Sequence, residues 1–500
     1  MTLPPFVNVI HQSISGNLLS VACDCLVVGL GENSAFSSAA RQIDERLQGW
    51  LSKAVSSGLI KTKRGEVSMM PTPPGLGDGA TSILFVGVGN VEQLDRGKTY
   101  ELGATILRRL TDTARKRLLV SLDGLVAEGL QESVVAGAMT GCEGQAIYLT
   151  EPKINAPGEI LWAGFNEASI TTGVVLGNSI NMTRRLINEP PNHIYPESFA
   201  NAAISVAKEV GLQIEVWDEK RLEAEGCRAI LAVGAGSSRP PRLVILRHQG
   251  GAETQPPVAI VGKGVTFDSG GLSIKPTEGM VDMKCDMAGA ATVLGVMNAI
   301  KQLNLPINVI GLCGLAENMI SGDSFKLGDV IEARSGTTIE ILNTDAEGRV
   351  VLADTLDVAI QHKPSAIVDL ATLTGACMVA LGRDTAGLMT NHEPLCQEVK
   401  LAAEQEGELV WQLPMFDLFD EHIKSKIADI KNTGDARWGG AITAAKFLQR
   451  FVDGTAWVHV DIAGPAYAES PKAHRDAGAT GVMLRTLVRW LQSRAASQPE

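Results

Sequence analysis

Two carboxylates, a glycine and a guanidinium stand within seven residues at 343–349, which read Asn343-Thr344-Asp345-Ala346-Glu347-Gly348-Arg349. Asp345 and Glu347 offer the hard oxygen ligands that divalent metal ions prefer. Arg349 adds a permanent charge and a fork of donors suited to a carboxylate or an oxyanion. The segment is therefore a candidate metal site. The alternative is a polar loop whose acids cap the next helix.

The residues on either side of this segment predict the element that carries it. Residues 339–342 alternate in polarity like the end of a strand, and residues 350–353 open a helical pattern. A turn from a strand to a helix is where α/β enzymes expose their chemistry. The polar side chains are therefore expected to face a site from such a turn.

A second chemical stretch lies upstream, after the short apolar run 258–262, which predicts a buried strand. It carries two lysines and one acid, Lys263, Lys275 and Asp268, in otherwise apolar surroundings. Four glycines between 262 and 271 permit close backbone approach and positive φ angles. The stretch therefore predicts a tight loop that presents a few polar groups.

Asp286 precedes a run from 287 to 295 that is apolar almost all round, which predicts a buried helix. Its carboxylate either caps that helix or points from the helix start into a site. Both readings are compatible with the sequence.

The glycine-rich stretch does not match the phosphate-binding motifs. The P-loop pattern Gly-x4-Gly-Lys-Ser/Thr is absent, and Gly-x-Gly-x-x-Gly starting at Gly262 would require a glycine where the chain has Phe267. Nucleotide binding is therefore disfavoured.

Together these segments resemble the signature of the leucyl aminopeptidases, a family of two-metal exopeptidases that includes bacterial aminopeptidase A. The resemblance rests on 263–276, Asp286 and 343–349, and it continues through 369–377 and 457–464. It is close from about 190 to 490 and holds only in outline for the first 165 residues. No metal or catalytic position departs from the family pattern.

The resemblance implies a role for each matching residue. One divalent ion, Mn²⁺ or Zn²⁺, would be held by Lys263, Asp268, Asp286 and Glu347. A second would be held by Asp268, Asp345 and Glu347. Lys275 and Arg349 would be catalytic without binding metal, and a bicarbonate at Arg349 would act as general base.

The resemblance also implies the specificity and the assembly of the protein. The pocket for the substrate side chain would be formed by Met283, Thr372, Gly375, Ala463 and Ala466. These residues are apolar or small apart from the Thr372 hydroxyl, so Leu and other apolar N-terminal residues should be preferred. The family forms homohexamers, and peptides are the expected substrates.

The chemistry of these residue types supports the same reading. Two neighbouring divalent ions need bridging carboxylates, and such a pair polarises a peptide carbonyl and lowers the pKa of water. Lys263 can be a ligand only as the neutral amine, so its pKa must be depressed by burial and an adjacent cation. Lys275 is expected to stay charged and to stabilise an oxyanion.

Composition limits the possible partners and compartments. The net charge of −12 and the aromatic content of 4% disfavour nucleic-acid binding. No apolar stretch is long enough to span a membrane, and residues 1–6 lack the features of a signal peptide. The eight cysteines contain no Cys-x-x-Cys pair, which indicates reduced thiols in the cytoplasm. His459 is expected to be a buried strand histidine rather than a ligand.

Five hundred residues predict two domains. Residues 1–165 alternate apolar runs with helical stretches, which predicts an α/β domain with a mostly parallel sheet, and the resemblance suggests a macro-domain-like fold. Residues 166–190 are predicted to be a connecting helix. Residues 191–500 are predicted to be the catalytic α/β domain, with a mixed sheet flanked by helices.

Two alternatives keep part of this pattern. In the first, the protein is an aminopeptidase-like scaffold with an accessory role in DNA binding, against which stand the complete set of site residues and the negative charge. In the second, the metals are kept but the reaction is phosphoester hydrolysis, because acidic two-metal sites serve both chemistries.

Overall fold

The computed structural model describes residues 8–151, 153–434 and 438–497. Two large sheets, each flanked by helices, organise these residues. A helix of 22 residues, α5 (Glu167–Asn188), separates the two sheets in sequence.

The first sheet has six strands in the order β1-β6-β5-β2-β4-β3. Every neighbouring pair is parallel except β3 with β4, so the predicted mostly parallel sheet is confirmed. The strands are β1 (Ile10–Ile14), β2 (Cys23–Gly31), β3 (Val67–Pro71), β4 (Ala80–Gly89), β5 (Arg117–Ser121) and β6 (Glu159–Ala163). The helices are α1 (Ser38–Arg46), α2 (Trp50–Ser56), α3 (Arg96–Leu110) and α4 (Gln131–Gly141).

Helix α5 (Glu167–Asn188) lies within the predicted connecting segment. Its N-terminus is capped by Asn166, whose side chain accepts a hydrogen bond from Ser169 N. Two glycines let it approach α4 closely, because a Cβ at Gly173 or Gly177 would come within 2.5 Å of Val135 or 2.4 Å of Met139. The helix therefore packs directly onto the first α/β unit.

The second α/β unit contains the remaining elements. Its strands are β7 (Gln213–Trp217), β8 (Arg242–Gln249), β9 (Val258–Asp268), β10 (Asn308–Asn318), β11 (Val330–Glu332), β12 (Thr338–Glu340), β13 (Ala366–Ala371), β14 (Ala386–Thr390), β15 (Val410–Gln412), β16 (Ile430–Lys431), β17 (Trp457–Asp461), β18 (Tyr467–Ala468) and β19 (Gly478–Ala479). Its helices are α6 (Pro196–Val210), α7 (Glu219–Ala224), α8 (Arg228–Gly234), α9 (Thr277–Met280), α10 (Ala288–Gln302), α11 (Glu347–Gln361), α12 (Gly375–Leu381), α13 (Glu393–Glu406), α14 (Gly440–Gln449) and α15 (Leu484–Ala496). Short 3₁₀ helices lie at Leu18–Ser20, Val91–Gln93, Glu128–Leu130, Met283–Met287 and Asp417–Ile423.

The second sheet has eight strands in the order β15-β14-β17-β13-β9-β10-β8-β7. The four central strands β17, β13, β9 and β10 are parallel to one another. The pairs β14–β17, β8–β10 and β7–β8 are antiparallel, and the edge strand β15 is parallel to β14. The predicted mixed sheet is thus confirmed. The carboxyl ends of the four parallel strands lie at one edge, where ligands bind in α/β proteins.

The core explains why the central strands are continuous apolar runs. Successive residues of β9 face opposite layers: Ile260 packs into one apolar cluster, while Ala259 and Val261 pack into the other. Helix α10 covers the first face and α11 the second. A strand buried on both faces cannot alternate apolar and polar residues, so 258–262 has no polar side chain.

Three details refine the sequence predictions. Strand β9 does not stop at Gly262 but continues to Asp268. The predicted buried helix is α10, preceded by a 3₁₀ helix at Met283–Met287. The strand before 343–349 is β12, which belongs to a small sheet with β11 and β16 rather than to the large one. A turn nevertheless leads from β12 to α11, as predicted.

All eight cysteines are buried and free, in agreement with the prediction of core thiols. Within the described residues, none of the helices combines the length and apolar character that a membrane span requires.

Candidate metal centre and active site

A cavity of about 640 Å³ opens at the carboxyl ends of β9, β13 and β17. All but one of the predicted site residues line it, namely Lys263, Asp268, Lys275, Met283, Asp286, Asp345, Glu347, Arg349, Thr372, Gly375 and Ala463. The exception is Ala466, which is 1% exposed and packs into the apolar core. The turn after β17, closed by a 3.0 Å bond from Ala466 N to Ile462 O, carries this residue away from the cavity.

The centre of the cavity is a cluster of buried acids. Asp268, Asp286 and Glu347 each place one carboxylate oxygen within 4.8 Å of the other two, and each residue is at most 4% exposed. Burial, together with the charge of Asp268 and against that of Lys263, raises the pKa of Glu347 to about 8 and that of Asp286 to about 6. Among the described residues, Glu347 Oε2 finds no hydrogen-bond partner. A divalent cation is the group whose charge fits this set.

A β-bulge brings two of the predicted ligands to the same side of β9. Residues five apart on a regular strand point to opposite faces. The pairing of β9 with β10 shifts by one residue opposite Ala316 and Glu317, which inserts Thr266 between Lys263 and Asp268. This extra residue reverses the alternation, so both side chains reach the cavity.

Lys263 is the first residue of β9 that no longer pairs with β13. Strand β13 pairs with β9 only as far as Leu370 opposite Gly262, so the edge opens at the next residue. The buried ammonium of Lys263 lies 2.7 Å from Asp286 Oδ2 and 2.9 Å from Glu347 Oε1, and donates to Thr372 O at 2.9 Å.

The predicted depression of the Lys263 pKa is not produced by the protein groups. Burial lowers this pKa, but the charges of Asp286, Glu347 and Asp268 raise it more, so the net pKa lies above its ordinary range. Burial thus acts in the expected direction, but the charges of the surrounding acids outweigh it. Only a cation among the same acids would reverse the balance.

Gly348 is required by the packing of Lys263. A Cβ at this position would lie 2.4 Å from Lys263 Cε and 2.6 Å from its Nζ. The position is in the first turn of α11, so the backbone itself would accept alanine. The glycine of the 343–349 motif therefore makes room for the lysine side chain.

We expect Gly348→Ala to displace the Lys263 side chain and to lower both metal affinity and kcat/KM by about 10–100-fold, the usual effect of disturbing a ligand through its surroundings. Metal titration and steady-state kinetics measure it. Gly322→Ala is the matched control, because a Cβ there meets no atom within 4 Å. Equal behaviour of the two variants would contradict the packing argument.

Lys275 lies at the rim of the acidic cluster. Its ammonium is 2.8 Å from Asp268 Oδ2 and 2.5 Å from Asp345 Oδ1, and the side chain is 17% exposed. Burial lowers its pKa, but the charge of Asp268, the hydrogen bonds to Asp268 and Asp345, and the charge of Glu347 raise it above the ordinary range. Lys275 therefore stays charged at neutral pH, as predicted.

The reading of the acids as helix caps does not hold. The N-cap of α11 is Ala346 and that of α10 is Met287, and within the described chain neither helix start receives a side-chain capping bond. Asp286 instead accepts hydrogen bonds from Lys263 Nζ and Thr372 Oγ1, both at 2.8 Å. Its carboxylate thus faces the site.

Arg349 also lines the cavity and is 8% exposed. Burial lowers its pKa to about 10, although the charges of Glu347 and Asp461 act to raise it. Its Nε is buried and has no hydrogen-bond partner in the described residues. A buried guanidinium with an unused donor fits a small anion.

Sequence reasoning missed Asn318, the last residue of β10. Its Nδ2 donates to Asp268 Oδ1 at 2.8 Å and to Thr344 O at 3.0 Å, which ties β9 to the 343–349 segment. Gly270 N also donates to Asp268 Oδ1 at 2.8 Å, from a loop in which Gly270 has a φ of 85°. The available signal was a polar residue ending a strand of eleven buried residues.

His459 is a buried histidine of a strand, as predicted. It lies in β17 at 0% exposure, and its Nδ1 is 2.6 Å from Asp369 Oδ1. Asp369 also accepts a hydrogen bond from Trp457 Nε1 at 2.6 Å. The histidine belongs to a buried polar group beneath the cavity and does not line it.

A mixed α/β sheet that gathers buried acids and two lysines at the carboxyl edge of its parallel strands defines a metal-dependent hydrolase. Residues 181–488 match the catalytic domain of the cytosol aminopeptidase family, and residues 27–151 match the N-terminal domain of that family. The chain belongs to the cytosol aminopeptidase family and is a metal-dependent aminopeptidase. The domain limits at 165 and 190 stay predictions.

Relatives and solved structures agree with this assignment. A probable cytosol aminopeptidase of Rhodopirellula baltica is 60% identical over 464 residues, which cover 93% of this chain and 90% of the relative. A mutant of tomato leucine aminopeptidase superposes with a TM-score of 0.86 at 32% identity, covering 98% of both chains. The bottromycin maturation enzyme BotP in complex with Mn superposes with a TM-score of 0.83 at 33% identity, covering 95% of this chain and 100% of BotP. Nothing in these comparisons supports the DNA-binding alternative or phosphoester hydrolysis.

Proposed function

We propose that this aminopeptidase holds two divalent ions in the cavity and releases N-terminal residues from peptides, with a preference for Leu and other apolar residues. The observation that carries the proposal is the buried cluster of Asp268, Asp286 and Glu347, flanked by two lysines. Buried acids at this density are costly unless cations compensate them.

The acids and Lys263 are the proposed ligands. Lys263, Asp268, Asp286 and Glu347 would hold one ion, and Asp268, Asp345 and Glu347 the other. Carboxylates with one amine suit Mn²⁺ and Zn²⁺, and a BotP structure is described as a complex with Mn. When bound, such ions supply the Lewis acidity that polarises a peptide carbonyl and activates water.

The two remaining cations of the site have separate tasks in this proposal. Lys275 presents a permanent ammonium at the rim of the cluster, where it stabilises negative charge on the substrate carbonyl oxygen. Arg349 holds and orients a small anion with its buried guanidinium. Bicarbonate is the proposed anion, which supplies a base when it is bound.

The proposed pocket for the substrate side chain offers neither a charge nor a free hydroxyl. Met283, Gly375 and Ala463 line the cavity without any charge. The hydroxyl of Thr372 is engaged, because it donates to Asp286 Oδ1 at 2.8 Å. An acidic substrate side chain would be desolvated there without a partner, so Leu and Met should be favoured over Asp and Glu.

We expect L-leucine 4-nitroanilide to be hydrolysed and its N-acetyl derivative not to be hydrolysed. The free α-amine must be neutral to bind a metal ion, and its ordinary pKa is about 7.7–8.0. The neutral fraction grows as the pH rises through that range, so kcat/KM for the free substrate should increase from neutral toward alkaline pH. Steady-state kinetics with added Mn²⁺ or Zn²⁺ measure both effects.

The L-glutamate anilide is the control for the pocket and should be a poor substrate. Brisk cleavage of the acetylated compound would show that a free amine is not required and would refute the exopeptidase mechanism. A preference for glutamate would leave that mechanism standing and refute the pocket.

We also propose a cytoplasmic homohexamer. The curated relatives are named cytosol aminopeptidases, and eight free buried cysteines suit a reducing compartment. Exposed apolar side chains such as Val379 at 90%, Trp411 at 65% and Ile427 at 65% suit burial against other subunits. Light scattering of the purified protein tests the mass, and a monomer would refute the hexamer.

A further inference from the structure

Asp461, the last residue of β17, joins two of the segments that line the cavity. It is 0% exposed. Its carboxylate accepts hydrogen bonds from Leu373 N at 3.2 Å, Thr374 Oγ1 at 2.7 Å and Ala463 N at 3.1 Å. All three donors belong to residues that line the cavity. Leu373 and Thr374 follow β13, whereas Ala463 follows β17, so one side chain holds two separate loops together.

The direction of the hydrogen bond from Thr374 is fixed by the helix that this residue caps. Thr374 is the N-cap of α12, and its Oγ1 accepts from Cys377 N at 3.0 Å. A hydroxyl has one hydrogen, and here it points to Asp461. Two backbone N–H groups and one O–H group therefore converge on the carboxylate, a set that only an acceptor satisfies.

The loop that Asp461 holds also touches the proposed metal ligands. Thr372 O accepts from Lys263 Nζ at 2.9 Å, and Thr372 Oγ1 donates to Asp286 Oδ1 at 2.8 Å. One end of the segment 372–374 is thus fixed by the metal centre and the other end by Asp461. The position of segment 372–374 in the pocket wall therefore depends on the hydrogen bonds at both of its ends.

We propose that Asp461 is a positioning residue that sets the separation of the two pocket walls and thereby the discrimination among apolar N-terminal residues. The inference rests on the proposed function, because it concerns the same pocket. Asp461 does not itself line the cavity, although its charge acts on the guanidinium of Arg349. It acts through Thr374 on one wall and Ala463 on the other.

Asp354 provides a matched control, because it has the same chemistry in a different place. It is 0% exposed, lies in α11, and accepts three backbone hydrogen bonds, from Ala229 N at 2.8 Å, Ile230 N at 3.0 Å and Arg334 N at 2.8 Å. It joins α8 to the connection between β11 and β12 and does not line the cavity. If the loss of any buried hydrogen-bond acceptor changed the substrate ratio, substitution of either aspartate would change it to the same extent.

The experiment compares Asp461→Asn with Asp354→Asn, using metal-saturated enzyme and the 4-nitroanilides of leucine and alanine. Asp461→Asn should lower the ratio of kcat/KM for leucine over alanine by about 10-fold, mainly through a higher KM for leucine, since pocket contacts of one or two methylenes have effects of this size. Metal content should stay at the wild-type level. Asp354→Asn should lower the melting temperature and leave the substrate ratio unchanged.

A second variant covers the case in which Asp461→Asn does not fold. Thr374→Val removes the hydroxyl that Asp461 binds and should lower the leucine-to-alanine ratio in the same direction. The two substitutions act on one bond, so their effects should not add in the double variant.

An unchanged ratio in Asp461→Asn, or in Thr374→Val where the first variant does not fold, would overturn the inference. An equal loss in Asp354→Asn would also overturn it. Failure of the wild-type enzyme to cleave leucine anilide would instead refute the proposed function, so the two failures are distinguishable.

Discussion

Glu347→Gln should empty the metal centre and lower kcat by about 10³-fold or more. The substitution keeps the shape of a side chain that is 1% exposed but removes a charge that both ions are proposed to share. Lewis-acid stabilisation of the transition state amounts to several kcal/mol, and each 1.36 kcal/mol is about tenfold in rate. Elemental analysis after dialysis and steady-state kinetics measure the two losses.

The melting temperature of Glu347→Gln tests the same loss of metal by an independent measurement. The site raises the pKa of Glu347 to about 8, chiefly by burial, so the native protein disfavours the charge of this residue. In the absence of metal, Glu347→Gln should therefore melt no lower than the wild type. With saturating metal it should melt lower than the wild type, because the variant lacks the stabilisation that metal binding gives.

Glu406→Gln is the control for a buried glutamate outside the cavity. Glu406 is 3% exposed and pairs with Arg96 at 2.5 Å and Arg489 at 3.1 Å. Its substitution should destabilise the fold with full metal content. Two bound ions and full turnover in Glu347→Gln would refute the assignment of this residue.

The residues of the site could be predicted because their chemistry is local in sequence. The spacing of Asp345, Glu347 and Arg349 is set within one turn at the start of α11. The apolar runs before Lys263 and after Asp286 indicate that these polar residues lie beside buried parts of a strand and a helix. A resemblance to a known family then carried the individual roles.

What could not be predicted depends on contacts between distant segments. The bulge at Thr266, which turns Lys263 and Asp268 to one side, exists only in the pairing of β9 with β10. The hydrogen bonds from Leu373 and Thr374 to Asp461 join residues that are 88 and 87 positions apart. Ala466 is assigned to the pocket by a motif match alone. The match does not show that the turn after β17 places this residue in the apolar core. Periodicity and spacing contain none of this information.

The two lysines of the site are the hardest residues to tell apart by geometry. Each ammonium lies between two carboxylates: Lys263 between Asp286 and Glu347, and Lys275 between Asp268 and Asp345. Their surroundings differ in burial. The Lys263 side chain is 3% exposed and also donates to a backbone carbonyl, whereas that of Lys275 is 17% exposed and lies at the rim.

We therefore expect Lys275→Ala and Lys263→Ala to lose activity for different reasons. Lys275→Ala should keep both ions and lose about 10²-fold in kcat, the usual effect of removing one donor to a developing oxyanion. Its KM should change little, because charge on the carbonyl oxygen appears only in the transition state. Lys263→Ala should lose metal from one site, and excess metal should restore part of its activity.

Metal titration separates these outcomes, with kcat measured at saturating metal for each variant. Lys275→Ala should bind two ions with wild-type affinity and remain slow at every metal concentration. Lys263→Ala should gain activity as the metal concentration rises. If both variants lose metal equally, the ammonium of Lys275 compensates the charge of the acids and does not stabilise charge on the substrate. The separation of roles would then be wrong, because its position between Asp268 and Asp345 would be explained by charge compensation alone.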